Sequence, residues 1–173
     1  PVHMARSGVA HLEAASEAAA LQLVKQLLGY LPQNNNEDPP QIAPYDLADR
    51  MEPALDKLIP AAENEPYDMR DAIELVFDRG SLLEIHADYA PNAVVGFARL
   101  DGYSVGIVAN QPAYMAGALD IDASDKISRF IRTCDAYNVP VITFVDCPGF
   151  LPGTEQEYRG VIRHGAKIIY AYC

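Results

Sequence analysis

Apolar residues recur at helical spacing through "EAAALQLVKQLLGY", Glu17 to Tyr30, where Ala20, Leu23, Val24, Leu27, Leu28 and then Leu31 share one face. Ser16 stands in front of the pattern as an N-cap, and Gly29 and Pro32 end it. The preceding "GVAHLEAA" alternates loosely and predicts an extended entry. From 33 to 67 the period disappears. "QNNNEDPPQIAP" is polar and proline-rich, and "MEPALDKLIPAAENEP" offers at most a short helical turn. That stretch reads as a linker crossing a surface and as a domain boundary.

A second patterned region starts at Asp68, an N-cap for a helix of about ten residues. Ile73, Val76 and Phe77 point inward and Gly80 closes it. "LLEIH" is a short strand. "AVVGFARL" and "YSVGIVA" flank Asp101-Gly102, the dipeptide of a type I′ hairpin. Ser124 caps a helix to about Tyr137, with Ile127, Phe130, Ile131 and Cys134 on one face and Asn138 and Pro140 beyond its end. "VITFV" is a continuous apolar strand of the kind buried on both faces of a parallel sheet. A glycine-rich loop follows, then a helix from about Glu157. The order strand, helix, strand, loop, helix predicts an α/β fold with a right-handed parallel crossover.

Composition narrows the function more than the fold. The chain has 173 residues, half of them hydrophobic, and a net charge of -11. That argues against nucleic-acid binding, which needs clustered Lys and Arg. A polyanionic ligand would have to be held by local dipoles or a local basic patch. No apolar run approaches a membrane span and no leader is visible. Cys134, Cys147 and Cys173 are odd in number and far apart, which favours a reduced, cytoplasmic compartment over a disulfide framework. With no initiator Met and an apolar pattern running into the last residue, the chain is expected to be a segment of a longer protein.

The candidate chemistry concentrates in "DCPGFLPGTEQEYRGVIRHGAK", Asp146 to Lys167. A loop after a parallel strand and before a helix is where open α/β sheets place ligands, and its backbone N–H groups can bind an anion or a developing oxyanion. The same glycines could merely permit a turn. A phosphate-binding P-loop is excluded: Gly149 and Gly153 are too close and no Gly-Lys-Ser/Thr follows. No G-x-G-x-x-G is present. Glu155 and Glu157, two apart, would diverge on a helix and suit its positive N-terminus better than acid–base work. Arg163 and His164 read either as an exposed basic pair or a packed His, or as local positive charge for an acidic ligand. Cys147 reads as a small buried hydrophobe. His3 and His11 lack metal-ligand partners at suitable spacing. Asn110-Gln111-Pro112 is a turn or a polar pair facing a ligand, and "MAGALD" a close-packed turn. Tyr103, Tyr114, Tyr158, Tyr170 and Tyr172 form no stacking array, so core or interface packing is expected for each.

The wording of "SGVAH", "GFARLDGYSVGIVANQP" and "LDIDASDKISRFIRTCDAYNVPVITFVDCPGFLPGTEQEYRGVIRHGAKIIYAY" resembles the carboxyltransferase subunits of biotin-dependent acyl-CoA carboxylases. The type is that of propionyl-CoA carboxylase β, methylmalonyl-CoA decarboxylase α and the transcarboxylase large subunit. "DLADRMEPALDKLIP" matches in pattern. The resemblance implies a crotonase-like (ClpP/crotonase) fold, with residues 1–31 the end of an N-terminal domain, 32–67 a linker and 68–173 the first part of a C-terminal domain. It implies carboxyl transfer between biotin and the α-carbon of propionyl-CoA or methylmalonyl-CoA, through an enolate held by backbone oxyanion holes. The partners it implies are a biotin carboxyl carrier protein and further copies of the subunit in a hexamer, with the site across a dimer interface. A membrane partner enters only in a decarboxylase. No metal is implied. The family's main oxyanion-hole glycines correspond to positions before Pro1 and after Cys173, so no residue here is expected to be catalytic and the segment alone is expected to be inactive. Pro148, Gly149, Phe150, Gly153, Gly160, Arg163, His164 and Gly165 are implied as the wall on the biotin side. Two residues depart from the family pattern: Cys147, where Val is common, and Arg159, where Gly is common, which adds bulk beside Gly160.

Overall fold

Four strands form one sheet in the order β1-β2-β3-β4: β1 Leu83–Ile85, β2 Ala93–Leu100, β3 Tyr103–Asn110 and β4 Val141–Phe144. The computed structural model of the chain describes residues 1–44, 46–62 and 65–173. Strands β1, β2 and β3 pair antiparallel, and β4 joins β3 in parallel. Asp101 and Gly102 both have positive φ, as the type I′ turn requires. The helices are α1 Val2–Ala5, α2 Glu17–Leu28, α3 Met69–Val76, α4 Ile121–Ala136, α5 Thr154–Arg159 and α6 Val161–Tyr172. The chain is thus mixed α/β.

Both faces of the hairpin are covered, so β2 and β3 are buried along almost their whole length. On one face Val95, Phe97 and Val108 meet Ile127, Phe130 and Ile131 of α4, with α2 and α6 packed alongside. On the other, Val94, Ala98 and Ile107 meet Met69, Ile73 and Phe77. A fully buried side chain of this size contributes roughly 1.5–3 kcal/mol, so these two layers hold the sheet between them.

Several expectations are corrected by packing. In α2 only Leu23 and Leu27, with Leu31 beyond it, reach the core; Val24 and Leu28 stay exposed. Helix α3 stops at Val76, because Phe77 turns extended and Arg50 takes the carbonyls of Leu75 and Phe77. Val76 points outward and Gly80 lies beyond the end of the helix. The cap of α4 is Asp120, whose carboxylate accepts from Ala123 N–H at 2.8 Å; Ser124 is buried inside the helix. β4 is half-exposed, with a neighbour on one side only among the described residues. The last helical stretch starts at Thr154 and breaks at Gly160.

The described residues of the segment 33–67 are irregular apart from a 3₁₀ turn at Pro53–Lys57, but they are tied down. Arg99, buried on β2, donates to the carbonyls of Pro40 (2.9 Å), Gly102 (2.8 Å) and Gly29 (2.6 Å), and its guanidinium covers the Tyr30 ring. Lys126 of α4 is similarly caged, donating to the carbonyls of His86, Tyr89 and Ala93 at 2.7–2.9 Å. Burial pushes its ammonium down to about 8, which leaves it charged at neutral pH. The extended entry docks through His11 and His86, whose rings meet at a tilt of 34° with centroids 4.0 Å apart. His86 Nε2–H donates to Gly8 carbonyl at 2.8 Å. Burial, then the facing His11, push His86 down to about 4, and burial and Arg129 lower His11.

Two outcomes are expected. Arg99→Leu leaves three carbonyls without their donor and costs roughly 3 kcal/mol, read from the urea midpoint. The pH effect runs the other way from that of a histidine held charged by a salt bridge. Below the ordinary histidine pKa of 6.5 the unfolded chain takes up protons that the folded His86 refuses, so stability falls as pH drops from 7 to 5. The loss is about 2 kcal/mol, and His86→Asn, which tolerates the same positive φ, removes most of that slope in thermal melts.

Candidate functional site

The candidate loop leaves the carboxyl end of β4 and is braced from three sides. Leu119 N–H donates to Gly149 carbonyl at 3.0 Å and Leu151 N–H to Leu119 carbonyl at 2.8 Å, a short parallel bridge to the segment entering α4. Gln156 of α5 accepts from Ile121 N–H at 3.1 Å. Tyr67 donates to the Asp146 carboxylate at 2.7 Å. Burial and then that hydrogen bond push the Tyr67 hydroxyl up to about 12, so it remains a donor at any working pH. Pro148, Gly149, Phe150 and Gly153 are left exposed at the surface of this frame. Gly149 and Gly153 hold φ values of 133° and 141°.

Phe150 is the loop's one aromatic group, 48% exposed, and it rests on α6. The contact needs Gly165: a Cβ there would run into the Phe150 ring. Gly160 is left-handed at the break between α5 and α6, and a side chain there would meet the Arg163 guanidinium. Arg159 is exposed and leaves that approach alone. Cys147 is half-buried rather than core, its Sγ accepting from Gly149 N–H at 3.3 Å.

The expected wall residues therefore divide. Pro148, Gly149, Phe150 and Gly153 stand together on the loop, and Gly165 supports them. Arg163 and His164 face α4 instead. His164 Nδ1 lies 2.9 Å from Asp125, which also takes Lys167 Nζ at 2.6 Å. Burial alone would raise Asp125, but Lys167 and His164 outweigh it and hold its carboxyl below the usual range. Above this pair a groove of about 890 Å³ opens between α4 and α6, with Arg129, Arg132 and Arg163 along it and Tyr137 and Tyr170 at its sides. The basic reading of Arg163 thus gains two arginines from another helix, which linear spacing could not bring together.

Other open readings resolve as bracing. Asn110 donates to Gly117 carbonyl at 3.0 Å, and Gln111 donates to Asp68 at 2.6 Å while accepting from Met69 N–H. In "MAGALD", a side chain at Gly117 would strike Asp146 carbonyl. The five tyrosines are all exposed, none in the core. Sequence reasoning missed Tyr67 altogether; its signal is only the polar Tyr-Asp pair at the head of α3. No helix among the described residues is long and apolar enough to cross a membrane.

Over residues 1–173 the sequence matches the carboxyl transferase domain family. It is 54% identical over 170 residues to the carboxyltransferase subunit of propionyl-CoA carboxylase from Haloferax mediterranei. It is equally identical to the α subunit of methylmalonyl-CoA decarboxylase from Veillonella parvula. Each alignment covers 98% of this chain and 33% of the relative. A transcarboxylase 12S crystal structure, described as a hexamer assembly with methylmalonyl-coenzyme A and methylmalonic acid bound, superposes with a TM-score of 0.95 at 48% identity. That superposition covers 99% of this chain and 33% of the other. The chain spans about a third of the length of these relatives, and by a match along its whole length it belongs to the carboxyl transferase domain family.

Proposed function

We propose that this chain is a segment of a crotonase-like carboxyltransferase subunit that moves a carboxyl group between biotin and the α-carbon of propionyl-CoA or methylmalonyl-CoA. The carrying observation is the braced loop at the end of β4, in a chain superposing on the transcarboxylase core along 99% of its length. Residues 1–31 are then the end of the N-terminal domain, 32–67 the connection and 68–173 the first part of the C-terminal domain. The equal identity to a decarboxylase α subunit supports a second direction, in which carboxyl leaves the thioester for biotin. The enolate chemistry is the same in both.

Biotin supplies or receives the carboxyl group at its ureido nitrogen. The loop fits its apolar ring system: Phe150 offers an exposed face, and the glycine-bearing backbone beside it allows close approach. The contribution of this segment is binding and exclusion of water, which holds the ring where its ureido edge meets oxyanion donors supplied elsewhere in the subunit. Tyr67 and Asp146 fix the loop's first residue, and Leu119 its middle. Biotin arrives on a carrier protein, and the subunit works in a cytoplasmic homo-oligomer with a site shared between copies.

Gly165→Ala in the full-length subunit should displace Phe150. Assayed by decarboxylation of malonyl-type CoA with free biotin, it should raise KM for biotin by about tenfold and leave KM for the thioester unchanged. An unchanged biotin KM, with Phe150→Ala also silent, would refute the wall.

A further inference from the structure

We infer that the cavity beneath α2 is a binding site for a small carboxylic acid, with an apolar tail of benzene size inside and the carboxylate on Arg129 at the mouth. The inference is independent of the biotin-wall reading, since no residue of the loop lines this cavity. The cavity holds about 150 Å³ between the extended entry, α2, the sheet and α4. Leu12, Leu27, Leu31, Ile85, Phe97 and Phe130 form its apolar walls. A cavity of that volume with such a lining stays dry and accepts a benzene-sized guest. Each of these walls is built by this chain itself.

The polar edge selects the head group. No carboxylate lines the cavity; its polar lining is His11, His86, Lys126, Arg129 and Thr133. Lys126 commits its ammonium to backbone carbonyls, and His86 donates to Gly8 carbonyl. Thr133 donates to the Arg129 carbonyl at 3.0 Å. Burial lowers His11, and the nearby Arg129 guanidinium lowers it further, so that imidazole is neutral at pH 7. Arg129 alone remains charged and uncommitted: it is exposed, and its side chain has no hydrogen bond or ion pair among the described residues. A planar guanidinium takes a carboxylate through two parallel hydrogen bonds. A cationic guest would meet only like charge here. Leu27, one of the two α2 leucines that reach the core, and Leu31 beyond it both line the cavity. A guest therefore adds contacts where the packing of α2 is thinnest, and it stabilises the docked helix by mass action.

The test uses the full-length subunit with benzoate as the probe and benzyl alcohol as its neutral analogue. Calorimetric titration should show saturable benzoate binding with a Kd of about 0.1–1 mM, and benzoate should raise Tm. Arg129→Gln should weaken benzoate about tenfold and leave benzyl alcohol unchanged. Leu27→Phe, which fills the cavity, should abolish binding of both probes. Leu31→Phe carries the same expectation from the neighbouring wall if the first variant does not assemble. Saturating propionyl-CoA should not displace benzoate. The inference is overturned if the parent gives no saturable heat, or if an assembled filling variant binds benzoate as the parent does. It is also overturned if Arg129→Gln leaves benzoate unchanged or weakens both probes alike, which would make Arg129 a structural support. Displacement by propionyl-CoA would assign the acid to the thioester site and overturn it too.

Discussion

A single buried cation ties together stretches of chain that share no strand. Arg99 projects from β2 and spends its guanidinium on carbonyls of Gly29, Pro40 and Gly102. These lie after α2, in the irregular segment and in the hairpin turn. A buried charge is tolerated when its donors are matched, and here oriented carbonyl dipoles take the place of a carboxylate. Lys126 repeats the device from α4, gripping the loop between β1 and β2. Without the Arg99 cage α2 would rest on half-exposed leucines alone, since it has no fully buried residue.

That frame explains how the candidate loop can be exposed yet fixed. Its backbone is stitched to Leu119, its first residue to Tyr67, and its aromatic group to a bare patch of α6. None of these contacts occupies the outward surface of the loop. Rigid support from behind with an open face in front is what a ligand wall requires. The charges follow a similar division. Acidic residues dominate the chain, whereas Arg129, Arg132 and Arg163 gather along the groove between α4 and α6, on the side of α6 away from Phe150.

Local structure was legible in the sequence where its cause is local. Ser16 and Asp68 cap their helices through their own side chains, and Asp101-Gly102 turns because both residues accept positive φ. The start of α4 was misplaced because "LDIDASD" offers several capping side chains, and burial of Ser124 decides between them. The end of α3 depends on Arg50, nineteen positions before the helix begins, and the half-exposure of β4 on what lies beside it. At the site, the glycines and Phe150 were readable as a phrase. The separation of His164 and Arg163 from that phrase was not, since it follows from α4 and α6 lying side by side.

The open side of β4 has a consequence for handling. "VITFV" contains no charge and no proline, its last residue is 76% exposed, and its backbone is paired only with β3 among the described residues. Proteins normally shield such an edge with a lysine, a bulge or a covering strand. Thr143 and Tyr172, joined at 2.7 Å through their hydroxyls, are polar groups placed beside it. A bare apolar edge of this kind is a template for strand addition, and any form of the protein that leaves it uncovered invites self-association through backbone hydrogen bonds.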